Sequence, residues 1–219
     1  MRAVRSLQDY KVGILALQGA VREHVDAFAR LGVKAVAVAG FEALAAVDAL
    51  VIPGGESTAI SRLLETSGLL EPLQRRVREG LPTFGTCAGM ILLASRVSDG
   101  RPDQHQLAGI DIEVRRNAFG RQVDSFETDL AVDGLGDPFH AVFIRAPIVE
   151  SVGPGVAVLA SLEGADGVRR AVLCRQGPCL VSAFHPELSG DLRLHEMFLD
   201  SAFDSCVTVG PTPDSRSKP

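Results

Sequence analysis

Absences narrow this sequence first. No apolar run approaches the roughly 20 residues that a membrane-crossing helix needs, so no span and no membrane partner are expected. The N-terminal stretch MRAVRSLQDYKVGILALQGA has charges but no long apolar core ending in a cleavage site. That pattern predicts no secretory signal and a cytoplasmic chain. Charge of one sign is not in large excess: 22 Lys and Arg face 27 Asp and Glu, a formal net charge of −5. Such mild acidity gives no reason to expect nucleic acid or an anionic membrane surface. Cysteine is scarce, and Cys87, Cys174, Cys179 and Cys206 fall at spacings that suggest no disulfide framework. Cys174 and Cys179 flank an RQGP turn, but the two further ligands of a zinc site are not evident, so no metal or cofactor is expected. Internal repeats and a dividing linker are also missing. The reading is one domain over residues 11–206, with an N-terminal extension over 1–10 and a polar, proline-rich, disordered tail over 207–219.

What is present alternates strand and helix signals. KVGILAL, KAVAVAG and ALVIPGG are short apolar runs ended by small turn residues. Between the first two, Val21, Val25, Phe28 and Ala29 recur at helical spacing before Gly32. After the third, Ser57 and Thr58 can cap a helix carrying Ile60, Leu63 and Leu64. Leu70, Leu73 and Val77 predict another helix, closed by Gly80. Continuously apolar strands alternating with helices indicate a mostly parallel sheet covered on both faces. From Gly109 the pattern turns to strands: GIDIEVRR, FETDLAV, HAVFIRAP, VAVLASL, RRAVLCRQG and PCLVSAF. A closing helix carries Leu194, Met197 and Phe198 on one face, and residues 98–106 read as a surface loop.

Three motifs carry chemistry. GTCAG places Cys87 on a strand-to-helix turn, with Gly85 and Gly89 beside it. Such a turn lifts a nucleophile from the sheet edge, small neighbours keep the approach open, and the helix N-terminus favours a thiolate. A lone GxCxG is equally compatible with a small buried hydrophobe. The second motif runs an apolar strand into His185-Pro186-Glu187. Pro186 would end the ladder, leaving His185 at the functional edge, and Glu187 could orient the imidazole. His24, His105, His140 and His195 have no distinctive sequence neighbours. The third motif is PGGES, where Gly54 and Gly55 let backbone N–H groups approach a ligand, although the lysine of a phosphate loop is missing. Together the motifs favour a Cys87–His185–Glu187 set for acyl transfer, with the N–H groups of Gly55 and Ala88 as oxyanion donors.

PGGES, GTCAG and FHPE together resemble a class I glutamine amidotransferase domain. LALQGAVREH, PGGEST, GTCAGMILLA, RRNAFGRQVDSFE, FIRAP and AFHPEL, falling in order from residue 15 to residue 188, are similar to the glutaminase subunits of pyridoxal phosphate synthases. The resemblance implies a three-layer α/β fold of the flavodoxin-like kind, with a mostly parallel or mixed central sheet. It implies Cys87 as nucleophile, His185 as base and acid, and Glu187 as orienting carboxylate. Gly55, Glu56, Ser57, Arg116, Ile144 and Arg145 would line the glutamine pocket. Glutamine's ammonium and carboxylate want an acidic partner and an arginine or backbone donors, which suits that set. Without the resemblance Arg115 would be as attractive as Arg116. The partner implied is a barrel-shaped synthase subunit, in a large hetero-oligomer, that joins ammonia to a pentose and a triose phosphate. Docking would activate the glutaminase, with Gln18 and His24 near the contact. Rival readings are a glutaminase of another pathway, a γ-glutamyl hydrolase or cysteine peptidase of the same architecture, and a non-catalytic binding module.

Overall fold

The computed structural model describes residues 10–101, 103–116, 125–164 and 166–208, the side chains of 204–208 excepted. Residues 1–9 of the expected 1–10 extension, 209–219 of the expected 207–219 tail and the centre of RRNAFGRQVDSFE lie outside the described residues; Tyr10 is buried in the core, and the last helix runs to Thr208. The first half runs β1 (Lys11–Leu15), α1 (Val21–Arg30), β2 (Lys34–Val38), α2 (Phe41–Ala45), β3 (Ala49–Ile52), α3 (Ser57–Thr66), α4 (Leu70–Arg78), β4 (Thr83–Thr86) and α5 (Ala88–Leu93). Strands β5 (Ala94–Val97), β6 (Ile110–Arg115), β7 (Ser125–Leu130), β8 (Phe139–Ile144), β9 (Ile148–Val152) and β10 (Ala157–Glu163) follow. β11 (Arg169–Gln176), β12 (Cys179–Ser182) and α6 (Arg193–Thr208) complete the series.

The central sheet has the strand order β10-β11-β12-β4-β3-β1-β2. From β12 to β2 all neighbours are parallel, while β11 and β10 join as antiparallel strands at one edge. The sheet is therefore mixed, as the class expected from sequence allows. Smaller sheets, β5-β6-β9 and β7-β8, flank it. The inner strands β3, β4 and β12 are buried at every position, which only strands covered on both faces require.

Alternation along β4 shows what covers each face. Phe84 packs 5.5 Å from Phe198 of α6, whose ring is 6.5 Å from Phe28 of α1. Gly85 faces the other way, and a Cβ there would lie 2.6 Å from Leu93 and 2.7 Å from the Gly89 carbonyl, both in α5. Helices α1 and α6 thus cover one face and α5, with α3 beside it, the other. Each fully buried Phe, Leu or Ile contributes roughly 1.5–3 kcal/mol. Among the described residues, no helix is long and apolar enough to cross a membrane.

Four details differ from the sequence reading. Helix α3 is capped by Glu56 rather than by Ser57 or Thr58: its two carboxylate oxygens accept from the N–H groups of Thr58 and Ala59 at 3.0 and 2.6 Å. A carboxylate reaches two orphan donors at once, which one hydroxyl cannot. The apolar run after Cys87 leaves the helix at Leu93 and continues as β5, and IVESV, not recognised as a strand, pairs as β9 with β6. Finally, β12 ends at Ser182, so Pro186 opens a 3-10 turn over Pro186–Leu188 instead of terminating the ladder.

Candidate active site

Cys87 follows β4 directly and is the N-cap of α5. Its φ of 47° and ψ of −100° are sparsely populated for a residue with a Cβ, and cost on the order of 1–3 kcal/mol. The neighbours hold it there: its N–H donates to the Ser182 carbonyl at 2.8 Å, while its own carbonyl accepts from Ile91 N–H at 3.3 Å. The flanking glycines have a different function from the open approach expected of them. Both are buried, and a Cβ on Gly89 would stand 2.0 Å from the Ile52 carbonyl. They let α5 lie directly on the backbone of β3 and β4, so that the helix starts immediately after Cys87.

His185 reaches the same edge along the neighbouring strand. Its N–H donates to the Val142 carbonyl at 2.8 Å, and the 3-10 turn folds Glu187 back beneath the ring. The Nδ1 atom is 2.7 Å from Glu187 Oε1, and Cys87 and His185 line the same cavity. Burial works against charge on His185, but the interactions of the ring with Cys87 and Glu187 outweigh it and push the ring up to about 10. Burial likewise disfavours an ionised Glu187, and the His185 hydrogen bond holds its carboxyl below the usual range nonetheless. Cys174 and Cys179, by contrast, are buried free thiols pushed up to about 12 by desolvation.

A cavity of about 390 Å³ opens above Cys87. Gly55, Glu56, Ser57, Arg116, Ile144 and Arg145, all expected around a substrate, line it together with Cys87, His185 and Gln18. Ala88 is buried behind Cys87 and does not reach the wall. Ile144 offers its carbonyl 3.8 Å from Cys87 Sγ, and Arg145 beyond it takes a φ of 44°, a second strained non-glycine residue at the site. The Arg115 and Arg116 alternatives part here. Arg115 pairs with Glu150 at 3.0 Å over a separate open depression lined by neither Cys87 nor His185. Arg116 is only 16% exposed, and its guanidinium donates to Thr58 Oγ1, Gln104 Oε1 and the Asp99 carbonyl at 2.8–3.0 Å. It thereby seats the 98–106 loop against α3, so this segment is packed at its Gln104–Gln106 end rather than being wholly surface.

The PGGES turn has close neighbours of its own. The Gly54 N–H donates to Thr86 Oγ1 at 3.0 Å, and the Gly54 carbonyl accepts from Ala20 N–H at 3.1 Å. A Cβ on Gly54 would stand 2.3 Å from His185 Cε1, so the loop lies directly on the imidazole. Gln18 Oε1 accepts from Glu56 N–H at 2.8 Å.

His24, expected near a partner contact, is fully buried. It occupies the same helical phase as Val21, Val25 and Phe28, so it turns inward with them, 3.1 Å from His195 Nε2 and 3.5 Å from Glu187 Oε2. The sequence motifs mark neither it nor His195 and Thr86 as part of the site. The signal available was a histidine in the apolar phase of an amphipathic helix.

Comparison with known proteins follows the same outline. A family model described as the SNO glutamine amidotransferase family matches residues 14–204. The pyridoxal 5'-phosphate synthase subunit PdxT of Nocardia farcinica is 60% identical over 190 residues, 86% of this chain and 84% of the relative. Its namesake in Frankia casuarinae is 59% identical over 196 residues, 89% and 96% of the two chains. A crystal structure of a glutamine amidotransferase superposes with a TM-score of 0.80 at 52% identity, over 87% of this chain and 98% of its own. A glutamine amidotransferase from Thermotoga maritima shares the fold alone, with a TM-score of 0.57 at 12% identity over 91% and 86% of the two chains. With a cysteine, a histidine and a carboxylate gathered on one sheet edge and the matching model running across nearly all of the described residues, the chain belongs to the SNO glutamine amidotransferase family.

Proposed function

We propose that this chain hydrolyses L-glutamine to glutamate and ammonia, and delivers the ammonia to the synthase subunit of a pyridoxal 5'-phosphate synthase. The observation that carries the reading is the Cys87–His185–Glu187 arrangement opening into a cavity lined by all six expected substrate residues. The relatives' name, a subunit of pyridoxal 5'-phosphate synthase, supports the pathway.

The reaction starts from a Cys87–His185 pair in which the imidazole carries the proton. The sulfur attacks the side-chain amide carbon, forming a C–S bond while the carbonyl π pair moves to oxygen. The Gly55 and Ala88 N–H groups hold that oxyanion; a single donor of this kind is worth about 2.7–4 kcal/mol of barrier. As the oxyanion collapses, the C–N bond breaks, His185 gives its proton to the departing nitrogen, and ammonia leaves a γ-glutamyl thioester. Water then adds to the thioester, losing a proton to His185, and the C–S bond breaks to release glutamate and restore the thiol pair. Glu187 keeps the ring in the orientation that serves both half-reactions.

Arg116 and the loop it seats, with Glu56, bind the amino-acid end of glutamine. Water converts free ammonia mostly to ammonium, which is not nucleophilic, so the glutaminase works docked on a barrel-shaped synthase subunit within a large hetero-oligomer. Gln18, exposed at the cavity rim, lies nearest that contact. The test measures ammonia release from glutamine with and without the synthase subunit, for the wild type and Cys87→Ala. Weak activity alone, a marked rise with the synthase, and none in the variant are expected. Hydrolysis by Cys87→Ala at the normal rate would refute the mechanism, and indifference to the synthase would refute the pathway.

A further inference from the structure

Behind the proposed Cys87–His185–Glu187 set lies a buried cluster that the mechanism above leaves unused. Glu187 is fully buried, and His185 engages only its Oε1 atom. The other oxygen, Oε2, has no hydrogen-bond partner among the described residues, and His24 Nε2 is 3.5 Å away. That same nitrogen lies 3.3 Å from Thr86 Oγ1, while His24 Nδ1 is 3.1 Å from His195 Nε2. Both histidines are wholly inaccessible to solvent, one on α1 and the other on α6.

Hydrogen-bond accounting selects one arrangement of protons. His195 Nδ1 is buried and without a partner among the described residues. A proton placed there would be an orphaned donor, which folded proteins avoid more strictly than an idle acceptor. The proton of a neutral His195 therefore sits on Nε2 and is donated to His24 Nδ1. A neutral His24 must then carry its own proton on Nε2, aimed between Glu187 Oε2 and Thr86 Oγ1. Burial lowers the proton affinity of both rings, which keeps them neutral: His24 shifts down, and His195 is pushed down to about 3. The charged and titratable groups acting on His24 are Glu187 and His185 from the strand end, His195 from α6 and Glu23 on its own helix.

We propose that His24 is a positioning residue. Its Nε2–H, fixed in that tautomer by His195, donates to the free oxygen of Glu187 and so holds the carboxylate that orients His185. The inference rests on the triad reading of the previous subsection. Thr86 extends it, because the hydroxyl that shares the His24 proton also accepts from Gly54 N–H in the PGGES turn. One ring thus ties α1 to both the carboxylate side and the oxyanion side of the site.

The experiment compares wild type, His24→Leu, His24→Gln, Glu187→Gln and Cys87→Ala in complex with the synthase subunit. Sites are counted with a glutamine-mimicking electrophile, so kcat refers to competent enzyme only. His24→Leu, which has no donor, is expected to lower kcat about 10- to 100-fold, the range for a hydrogen bond to a charged group, with KM unchanged because His24 does not line the cavity. The alkaline limb of kcat/KM should move upward, since a carboxylate stripped of its donor holds the imidazolium more tightly. His24→Gln, whose amide N–H replaces Nε2–H, should restore both. In the wild type, histidine ¹⁵N shifts should place the His24 proton on Nε2. Unchanged kcat and pH profile in His24→Leu would overturn the proposal, as would a loss that His24→Gln does not repair while the limb stays put. Activity surviving in Cys87→Ala or Glu187→Gln would instead overturn the triad reading beneath it.

Discussion

Replacing Gly54 by alanine separates folding from catalysis at a single methyl group. Gly54 does not have a positive φ, so alanine meets no backbone penalty there. The added Cβ would stand 2.3 Å from His185 Cε1 and 2.9 Å from Nδ1. Carbon atoms in contact rest about 3.5–4.0 Å apart, so the ring and the loop must separate by more than about 1 Å. His185 cannot yield that distance freely, because Nδ1 is bound 2.7 Å from a fully buried Glu187. Nor can the loop, whose Gly54 N–H and carbonyl are both hydrogen-bonded, to Thr86 and to Ala20. Overpacking of this size costs about 1–3 kcal/mol of stability, which a domain survives. A misplacement of about 1 Å between reacting groups costs on the order of a hundredfold in rate, or about 2.7 kcal/mol of barrier. Steady-state ammonia release in the complex, with a melting curve for each protein, reads both quantities. Gly136→Ala is the control, since nothing lies within 4 Å of a Cβ there. A folded Gly54→Ala enzyme with kcat within about threefold of wild type would refute the reasoning.

Two further outcomes follow from the charged groups. Unfolding exposes His24 and His195, which then take up protons below about pH 6.5, whereas the folded rings resist protonation, His195 down to about 3. Stability should therefore fall as pH drops below about 6.5, by at most about 1.4 kcal/mol per pH unit for each ring. His185 works in the opposite sense and only above that range: its folded value is raised to about 10, so its contribution is complete below about pH 6.5 and is lost as pH rises from there to about 10. Urea unfolding between pH 7 and 5 should show a shallower slope for His195→Leu, and an identical slope would count against neutral buried rings. Arg116→Lys keeps the charge but loses the fork that joins Thr58, Gln104 and the Asp99 carbonyl. KM for glutamine should rise about tenfold or more, with a smaller change in kcat; an unaltered KM would remove Arg116 from the substrate site.

Much of the architecture could be read from the chain because its signals are local. Apolar runs ended by turn residues marked the strands, and GTCAG and FHPE each stood at a strand end. What could not be read depends on contacts distant in sequence. Gly85 and Gly89 look like an open approach until Ile52 and Leu93 are seen pressed against them. His24 looks like a surface histidine because its partners, Thr86, Glu187 and His195, lie 62 to 171 residues away. The capping role of Glu56 was hidden by two better-known capping residues immediately after it. Arg115 and Arg116 are adjacent in sequence, and only their opposite neighbours, Glu150 and the 98–106 loop, distinguish them.

The pairing of β4 with β12 acts as the ruler of the active site. Thr86 stands opposite Ser182 as the last residues of two parallel strands, and Cys87 and His185 follow one and three residues beyond them. Their separation is thus a property of sheet register. One residue of slip would displace one strand by about 3.3 Å and turn its side chains to the other face. The Gly177-Pro178 turn, which leads into β12 at the far end of the sheet, helps to set that register, and the Pro178 carbonyl accepts from Thr83 N–H at 3.1 Å. Changing the length of a turn that touches neither substrate nor nucleophile would therefore detune catalysis through the whole length of a strand. For this chain, the spacing of the reacting groups is decided when the sheet forms.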